Sequence, residues 1–335
     1  MRAIMLLIVL LLAACKLDVI GMQLAPGWKV RSVAVWRNMR PDMLALSPDG
    51  KWLYLTCETQ ASLEEPSLAA VYLPNGHHVI MLNGLQRADG LKFAPDGSLW
   101  VGEEFDRGLI WRIAEVDRIP AEQHVDRTTM EISSTSIAPL ASAGAMAHEG
   151  ITFSKDGRYA YLADEWSKGC LYRHDLRDHR LEVLHETRGW LPVAQPDEAR
   201  FIAQKLHAQP FNRVEDLETL PDGRILMAET GTGRILMLDD RGTSPSISLY
   251  LKQADLKHPD NLAWDARRAW SWITDDDKPS RLWAWDGRRL IRIASHDHAE
   301  ITGVLPDGDT IYLNLQGNTS GPDLTLKLTE TPEHE

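Results

Sequence analysis

The sequence predicts an all-β fold, a six-bladed β-propeller with short helical and loop insertions over one mouth of the ring. Three observations carry that prediction: one motif is written six times, its internal spacing is constant, and its copies recur at intervals close to the length of a propeller blade. The copies begin at Asp42, Asp89, Glu149, Glu215, Asp260 and Glu300. In five of them the leading acid precedes the aspartate of an Asp-Gly turn by seven residues, at Asp49, Asp96, Asp156, Asp222 and Asp307. The fifth copy keeps its register but carries Arg267-Arg268 where the others have Asp-Gly, so a different turn is expected there. Successive leading acids lie 47, 60, 66, 45 and 40 residues apart, against roughly 40 to 50 residues for a blade.

Each copy reads as a short apolar strand, a hairpin turn and a second apolar strand, as at residues 52–56, 99–101 and 310–313. Third strands are expected at 108–113, 169–173, 233–238 and 280–285. A helical repeat does not fit, because the apolar segments are short, rich in Val, Ile, Trp and Tyr, and bounded by Asp-Gly. A strand near residues 28–36, or one near 324–328, would close the ring by joining the first blade to the last. The two long intervals carry insertions at 114–146 and 186–212. In the second, Pro196-Asp197-Glu198 followed by an apolar pattern through Leu206 predicts one helix. Entering at the level of the leading acids, these insertions would stand over that rim as a partial lid.

Residues 1–15 read as a targeting segment. The apolar run from Ala3 to Ala14 is too short to span a bilayer and has the length of a signal-peptide core. It ends in Leu12-Ala13-Ala14-Cys15, which resembles the bacterial lipobox and implies acylation of Cys15; an ordinary secretory signal is the other reading, and both export the chain. Lys16 after the cysteine favours the outer membrane and periplasm. Residues 16–27 then form a linker and 28–330 a single propeller domain. The chain of 335 residues is 44% hydrophobic and has a net charge of −12, which argues against a nucleic-acid partner. A monomer acting on a small molecule is expected. Cys57 and Cys170 could pair, bind metal or stay free.

The chemistry is expected at the repeated acids. If each begins an innermost strand, the second strand returns to the same level, bringing Glu58, Glu103, Glu104, Asp164, Glu165, Glu229, Asp275, Asp276 and Asn314 towards the mouth. Carboxylates so crowded either stay protonated or are neutralised by cations. An all-oxygen site suits hard cations, Ca²⁺ first, then Mn²⁺ or Fe³⁺, and no His and Cys spacing favours zinc. Two residues before the leading acids stand Arg40, Arg87, Ala147, Arg213, His258 and His298, with His148 one residue later in the third copy. A collar of Arg and His around an acidic mouth suits an anionic substrate, phosphate above all; ion pairing between blades is the alternative.

These residues also carry a family resemblance. Asp89-Gly90 with Gly102-Glu103-Glu104, His148-Glu149-Gly150, Arg213-Val214-Glu215-Asp216, Pro259-Asp260-Asn261, and Glu300-Ile301-Thr302-Gly303 through Leu315-Gln316 resemble the PhoX-type alkaline phosphatase family over about residues 40 to 318. The resemblance implies an exported phosphomonoesterase with calcium and iron bound by carboxylates on the propeller axis. It implies metal ligation by Asp89, Glu103, Glu149, Glu215, Asp260 and Glu300, catalytic roles for Arg213 and Glu215, and phosphate-ester binding by Arg213, Arg87 and His148. Gly102 stands where that family has a cysteine, which puts iron in doubt; Cys57 lies at the same level of the preceding blade. Metal-assisted hydrolysis without a protein nucleophile is the mechanism implied, and no Gly-x-Ser-x-Gly elbow is present. Two other functions fit the residues. A gluconolactonase-like lactonase would use one divalent ion, for which Glu149 and Asn261 are suited; a lipid-anchored propeller without catalysis would bind a partner and keep its ions for structure.

Overall fold

The computed structural model describes residue 19 and residues 21–331, so Cys15 and the targeting segment lie outside the described residues. Six sheets, antiparallel except for one outer strand of the first, are arranged as a six-bladed propeller, with innermost strands Pro41–Leu46, Ala88–Phe93, His148–Phe153, Val214–Thr219, Pro259–Asp265 and Glu300–Asp307. We number the blades 1 to 6 in that order.

Turn chemistry sets the blades. In blade 1, Gly50 has φ 70°, and the Asp49 carboxylate accepts from the Lys51 N–H at 3.1 Å, closing the loop between the first two strands. Blade 5, which lacks Asp-Gly, uses Asp265 instead: its Oδ1 accepts from the N–H groups of Arg267 and Arg268, and Ala269 takes the left-handed conformation at φ 54°. Arg268 also pairs with Asp265 at 2.7 Å.

Hydrophobic burial is organised by seam rather than by blade. Six apolar clusters each join neighbouring blades, one for every seam. Trp111 between blades 1 and 2, Trp272 between 5 and 6 and Trp36 between 6 and 1 are fully buried. Each such large apolar side chain contributes about 1.5–3 kcal/mol. The ring is closed by both terminal segments together: Trp28–Trp36 is the outermost strand of blade 6, antiparallel to Asp323–Glu330. Trp36 Nε1 donates to Thr325 Oγ1 at 2.8 Å across that pairing.

Two expectations are corrected. Within 16–27, read as a linker, Met22–Leu24 forms a strand on the edge of blade 5, paired with Leu290–His296. The insertion at 114–146 is no lid. Gln123–Asp126 runs parallel to His77–Asn83 of blade 1, and Ile137–Pro139 is the fourth strand of blade 2, so this segment satisfies sheet edges. The expected helix is present as a 3₁₀ turn at Pro196–Glu198 followed by Ala199–Lys205. Arg200 of that helix pairs with Asp164 at 2.6 Å and stacks on Trp166, fastening it to blade 3. Among the described residues, no helix is long and apolar enough to cross a membrane.

Candidate metal centre

A shared irregularity positions the leading acids. In every blade the pairing of the first two strands slips by one residue at the axial end, so that two residues of the innermost strand oppose one of its partner. Such a bulge re-aims a side chain that would otherwise alternate across the sheet. In blades 1 to 5 the bulge begins with Asp42, Asp89, Glu149, Glu215 and Asp260.

Blade 6 departs from the sequence register. Thr302 lies opposite Asn314 as Pro41 lies opposite Cys57, so the residue equivalent to a leading acid is Gly303, not Glu300. Gly303 has φ 56°, and a Cβ there would lie 2.1 Å from the Asp42 carbonyl oxygen. No acid fits at that position. Glu300 enters from three residues upstream and reaches the same cavity. Its seven-residue gap to Asp307 coincides with the repeat, because the blade 6 hairpin is tighter, pairing Asp307 directly with Thr310.

The mouth encloses a cavity of about 170 Å³ lined by nine carboxylates, from Asp42, Glu58, Asp89, Glu104, Glu149, Glu215, Asp260, Asp276 and Glu300, by Arg40, Arg87 and Arg213, and by Gln316. Burial, then the neighbouring carboxylates, pushes Asp42, Asp89, Glu149 and Asp260 well above the usual carboxylate range. Glu215 is raised to about 7 by burial, against the opposing effects of Arg213 and the Thr230 hydroxyl. Glu104 reaches about 8 through burial despite Arg87, and Glu300 about 8 through burial and Asp276.

Two triads bring carboxylate oxygens within 4.8 Å of one another: Glu104 with Glu149 and Glu165, and Glu149 with Glu215 and Asp260. Glu149 belongs to both. Asp89 Oδ1 is buried without a hydrogen-bond partner, the state in which a buried oxygen is most costly unless a cation meets it. Hard oxygens, mutual repulsion and an orphaned acceptor together fit a hard divalent ion.

The second-strand acids divide into two sets. The residue opposite the bulge is bound to backbone N–H groups. Glu103, fully buried, accepts from Gln86 at 3.0 Å and Leu109 at 3.1 Å and pairs with Arg127 at 2.9 Å. Asp164 accepts from Ala147 at 3.2 Å, Glu229 from Asn212 at 3.0 Å and Asp275 from His258 at 2.7 Å. Asp323 does the same for Arg40 at 3.0 Å, in the blade where Cys57 takes the acid's place. Glu103 does not line the mouth: its carboxylate is held by the Gln86 N–H of the loop entering blade 2, by the Leu109 N–H within the blade and by Arg127. The following residue faces the mouth, as Glu58, Glu104 and Asp276 do. In blade 4 that residue is Thr230, whose hydroxyl donates to Glu215.

His148 is also corrected. It is fully buried, its Nε2 lies 2.9 Å from the Gly144 carbonyl, and burial lowers it to about 4. It lies behind the mouth and does not line the cavity. Asn261 is buried too, with its amide donating to Asp260 at 2.8 Å and its carbonyl accepting from Gly303 N–H at 2.5 Å, so it orients an acid rather than facing the cavity. Cys57 and Cys170 are buried, unpaired thiols, Cys170 pushed up to about 12 by burial.

The arginines bridge seams. Arg87 joins Glu58 of blade 1 at 2.7 Å to Glu104 of blade 2 at 2.5 Å, and Arg40 joins Glu58 at 2.6 Å to Gln316 of blade 6 at 3.0 Å. Arg213 pairs with Glu165 of blade 3 and Glu215 of blade 4. All three adopt positive φ, between 46° and 56°. Sequence reading brought Glu165 to the mouth without separating it from Asp164, and named Gln316 only within a motif; the signal that separates the acidic pairs is strand parity, since the second member faces the axis.

No family model and no curated protein matches this chain. Solved structures share its fold. A gluconolactonase from Xanthomonas campestris aligns at TM-score 0.63 and 11% identity, over 94% of this chain and 97% of that one. A luciferin-regenerating enzyme aligns at TM-score 0.62 and 10% identity, over 91% and 96%. Virginiamycin B lyase from Staphylococcus aureus aligns at TM-score 0.54 and 13% identity, over 91% and 100%. These neighbours overturn the resemblance to PhoX phosphatases, and with it the phosphomonoesterase reading. The motifs that carried it are strand starts and Asp-Gly turns, which blade geometry itself demands; two of its pieces, around Glu103 and Glu300, have structural roles or registers that the resemblance did not imply. What the chain shares with its neighbours is the propeller fold; its own axis carries an acidic cluster that could hold a metal ion.

Proposed function

We propose that this protein is a metal-dependent lactonase that opens a sugar lactone at the axial carboxylates. The observation that carries the reading is the pair of triads sharing Glu149, set in a small polar cavity; the gluconolactonase among its structural neighbours supports it. Glu149, Glu215 and Asp260 would hold the ion, and Asn261 fixes the Asp260 carboxylate. A divalent cation there supplies Lewis acidity to a lactone carbonyl. Ca²⁺ is the first candidate for so many oxygens.

The remaining steps belong to the chain. Glu104, raised by burial and steadied by Arg87, takes a proton from the water that adds to the carbonyl carbon. As the bond from that carbon to the ring oxygen breaks, the same carboxyl returns the proton to the departing oxygen, leaving a hydroxy acid. Arg40 and Arg213, at the rim, offset the carboxylate of that product. Export and acylation at Cys15 belong to the same proposal and are checked by mass spectrometry of the mature chain. The function is tested with D-glucono-1,5-lactone, following acid release with added Ca²⁺ and then with excess chelator. Turnover abolished by chelation and by Glu149→Gln is expected; equal turnover in wild type, chelated protein and variant would overturn it.

A further inference from the structure

The arginine collar does not run all the way round. Arg40, Arg87 and Arg213 cover the mouth from blades 6, 1, 2, 3 and 4, but the equivalent residue of blade 5 is His258, and in blade 6 His298 stands two residues before Glu300, both with shorter side chains. At that gap a groove of about 540 Å³ leaves the mouth along the seam between blades 5 and 6. Four residues, Arg40, Asp276, Glu300 and Gln316, line both spaces, so the groove adjoins the axial cavity.

The groove is far larger than the mouth. A lactone ring with its reacting carbonyl at the triads fills the axial space of about 170 Å³, leaving the groove for a substituent. Its lining says which kind. Ala299 is the one apolar side chain among its lining residues, so an acyl chain gains nothing from entering it. Two permanent cations, Arg40 and Lys278, stand against four carboxylates, Asp276, Asp277, Asp297 and Glu300. A phosphate or uronate would meet net negative charge. His298 and Thr319, both exposed at the outer end and joined by the Thr319 N–H donating to the His298 carbonyl at 3.1 Å, offer hydrogen bonds without fixed charge.

We propose that this groove is a subsite for a neutral sugar unit, and that the preferred substrate is a lactone bearing a glycosidic substituent rather than a monosaccharide lactone. The proposal rests on the lactonase reading. Its test compares kcat/KM for cellobiono-1,5-lactone and D-glucono-1,5-lactone with Ca²⁺-loaded protein, in wild type and in Thr319→Trp, which places a bulky ring in the groove. A preference of at least tenfold for the disaccharide lactone, about 1.4 kcal/mol, that falls at least fivefold in the variant is expected. Equal kcat/KM for the two lactones in wild type overturns the subsite and leaves the lactonase reading standing. Should neither lactone turn over, the lactonase reading fails, and calorimetry with cellobionate then decides the subsite alone: binding weakened by Thr319→Trp upholds it, and no binding, or binding equal in both proteins, overturns it.

Discussion

Glu149 and Glu229 are both buried glutamates within reach of one mouth, yet their surroundings drive them in opposite directions. Glu149 begins an innermost strand, is bulged towards the axis and meets other carboxylates, so burial and repulsion hold it well above the usual range. Glu229 ends a second strand one blade on. Burial raises it too, but Arg234, the Thr232 hydroxyl and the Asn212 N–H outweigh that, and it lies below the ordinary value. The difference shows that an acid's role in this ring is set by which strand position carries it. One position binds the blade's entry loop; the other leaves its oxygens for a cation.

The comparison is broken most sharply at Glu149. Replacing it with Gln removes the negative charge of the residue common to both triads and exchanges one of its oxygens for an amide nitrogen, and we expect metal affinity and turnover to fall by about a thousandfold, measured by calorimetry and lactone hydrolysis. The same variant, chelated, should melt no lower than chelated wild type, because a buried repelling charge is gone. Next in size is Glu229→Ala, or equally Glu103→Ala. Each leaves buried N–H groups and an arginine without a partner, so a loss of about 2–4 kcal/mol is expected in denaturant unfolding, and added metal should not restore it.

A pH series sharpens the contrast. Carboxyls raised in the folded state bind more protons than the unfolded chain does, so their contribution to stability is complete below about 4.5 and is lost as pH rises through 7 for Glu215 and 8 for Glu104 and Glu300. Chelated protein should therefore lose thermal stability steadily between about pH 4.5 and 8, and saturating Ca²⁺ should raise its melting temperature more at pH 8 than at pH 5. A chelated protein whose stability is flat across that window would show that the mouth acids are not the repelling set. The smallest effect is expected at Arg213, about half-exposed and paired with Glu215. Arg213→Ala frees that ligand and removes a nearby positive charge, so calorimetry should show metal affinity rising by no more than about tenfold.

Much of this was legible in the chain. The period and the seven-residue gap located the blades and the acids of blades 1 to 5, because strand, turn and strand each need their own residue types. What the pattern could not reveal was where a side chain points once a bulge intervenes. Glu103 and Glu104 are adjacent glutamates in the sequence, and only the pairing of Glu103 opposite Ala88 separates the one held by backbone from the one facing the axis. Glu300 illustrates the converse. It kept the numerical rule, while the close approach of Gly303 to Asp42 had already moved its blade into another register. His148 stood beside a leading acid, and strand alternation turned it into the seam. The family resemblance failed for a related reason: short motifs built of turn and strand-start residues are shared by propellers of unrelated chemistry.

The partnership of Trp28–Trp36 with Asp323–Glu330 has a kinetic meaning. Trp36 and Thr325 are separated by 289 positions along the chain, and contacts of such separation form late because a long loop must first be closed. Blade 6 cannot be completed until Trp28–Trp36 meets Asp323–Glu330, far along the chain. Until that moment the seam between blades 6 and 1 lacks Trp36, and the axial acids lack the final wall of their enclosure. Folding is thus a single late event for the metal centre, and an ion that binds only the finished ring would draw the whole chain towards closure.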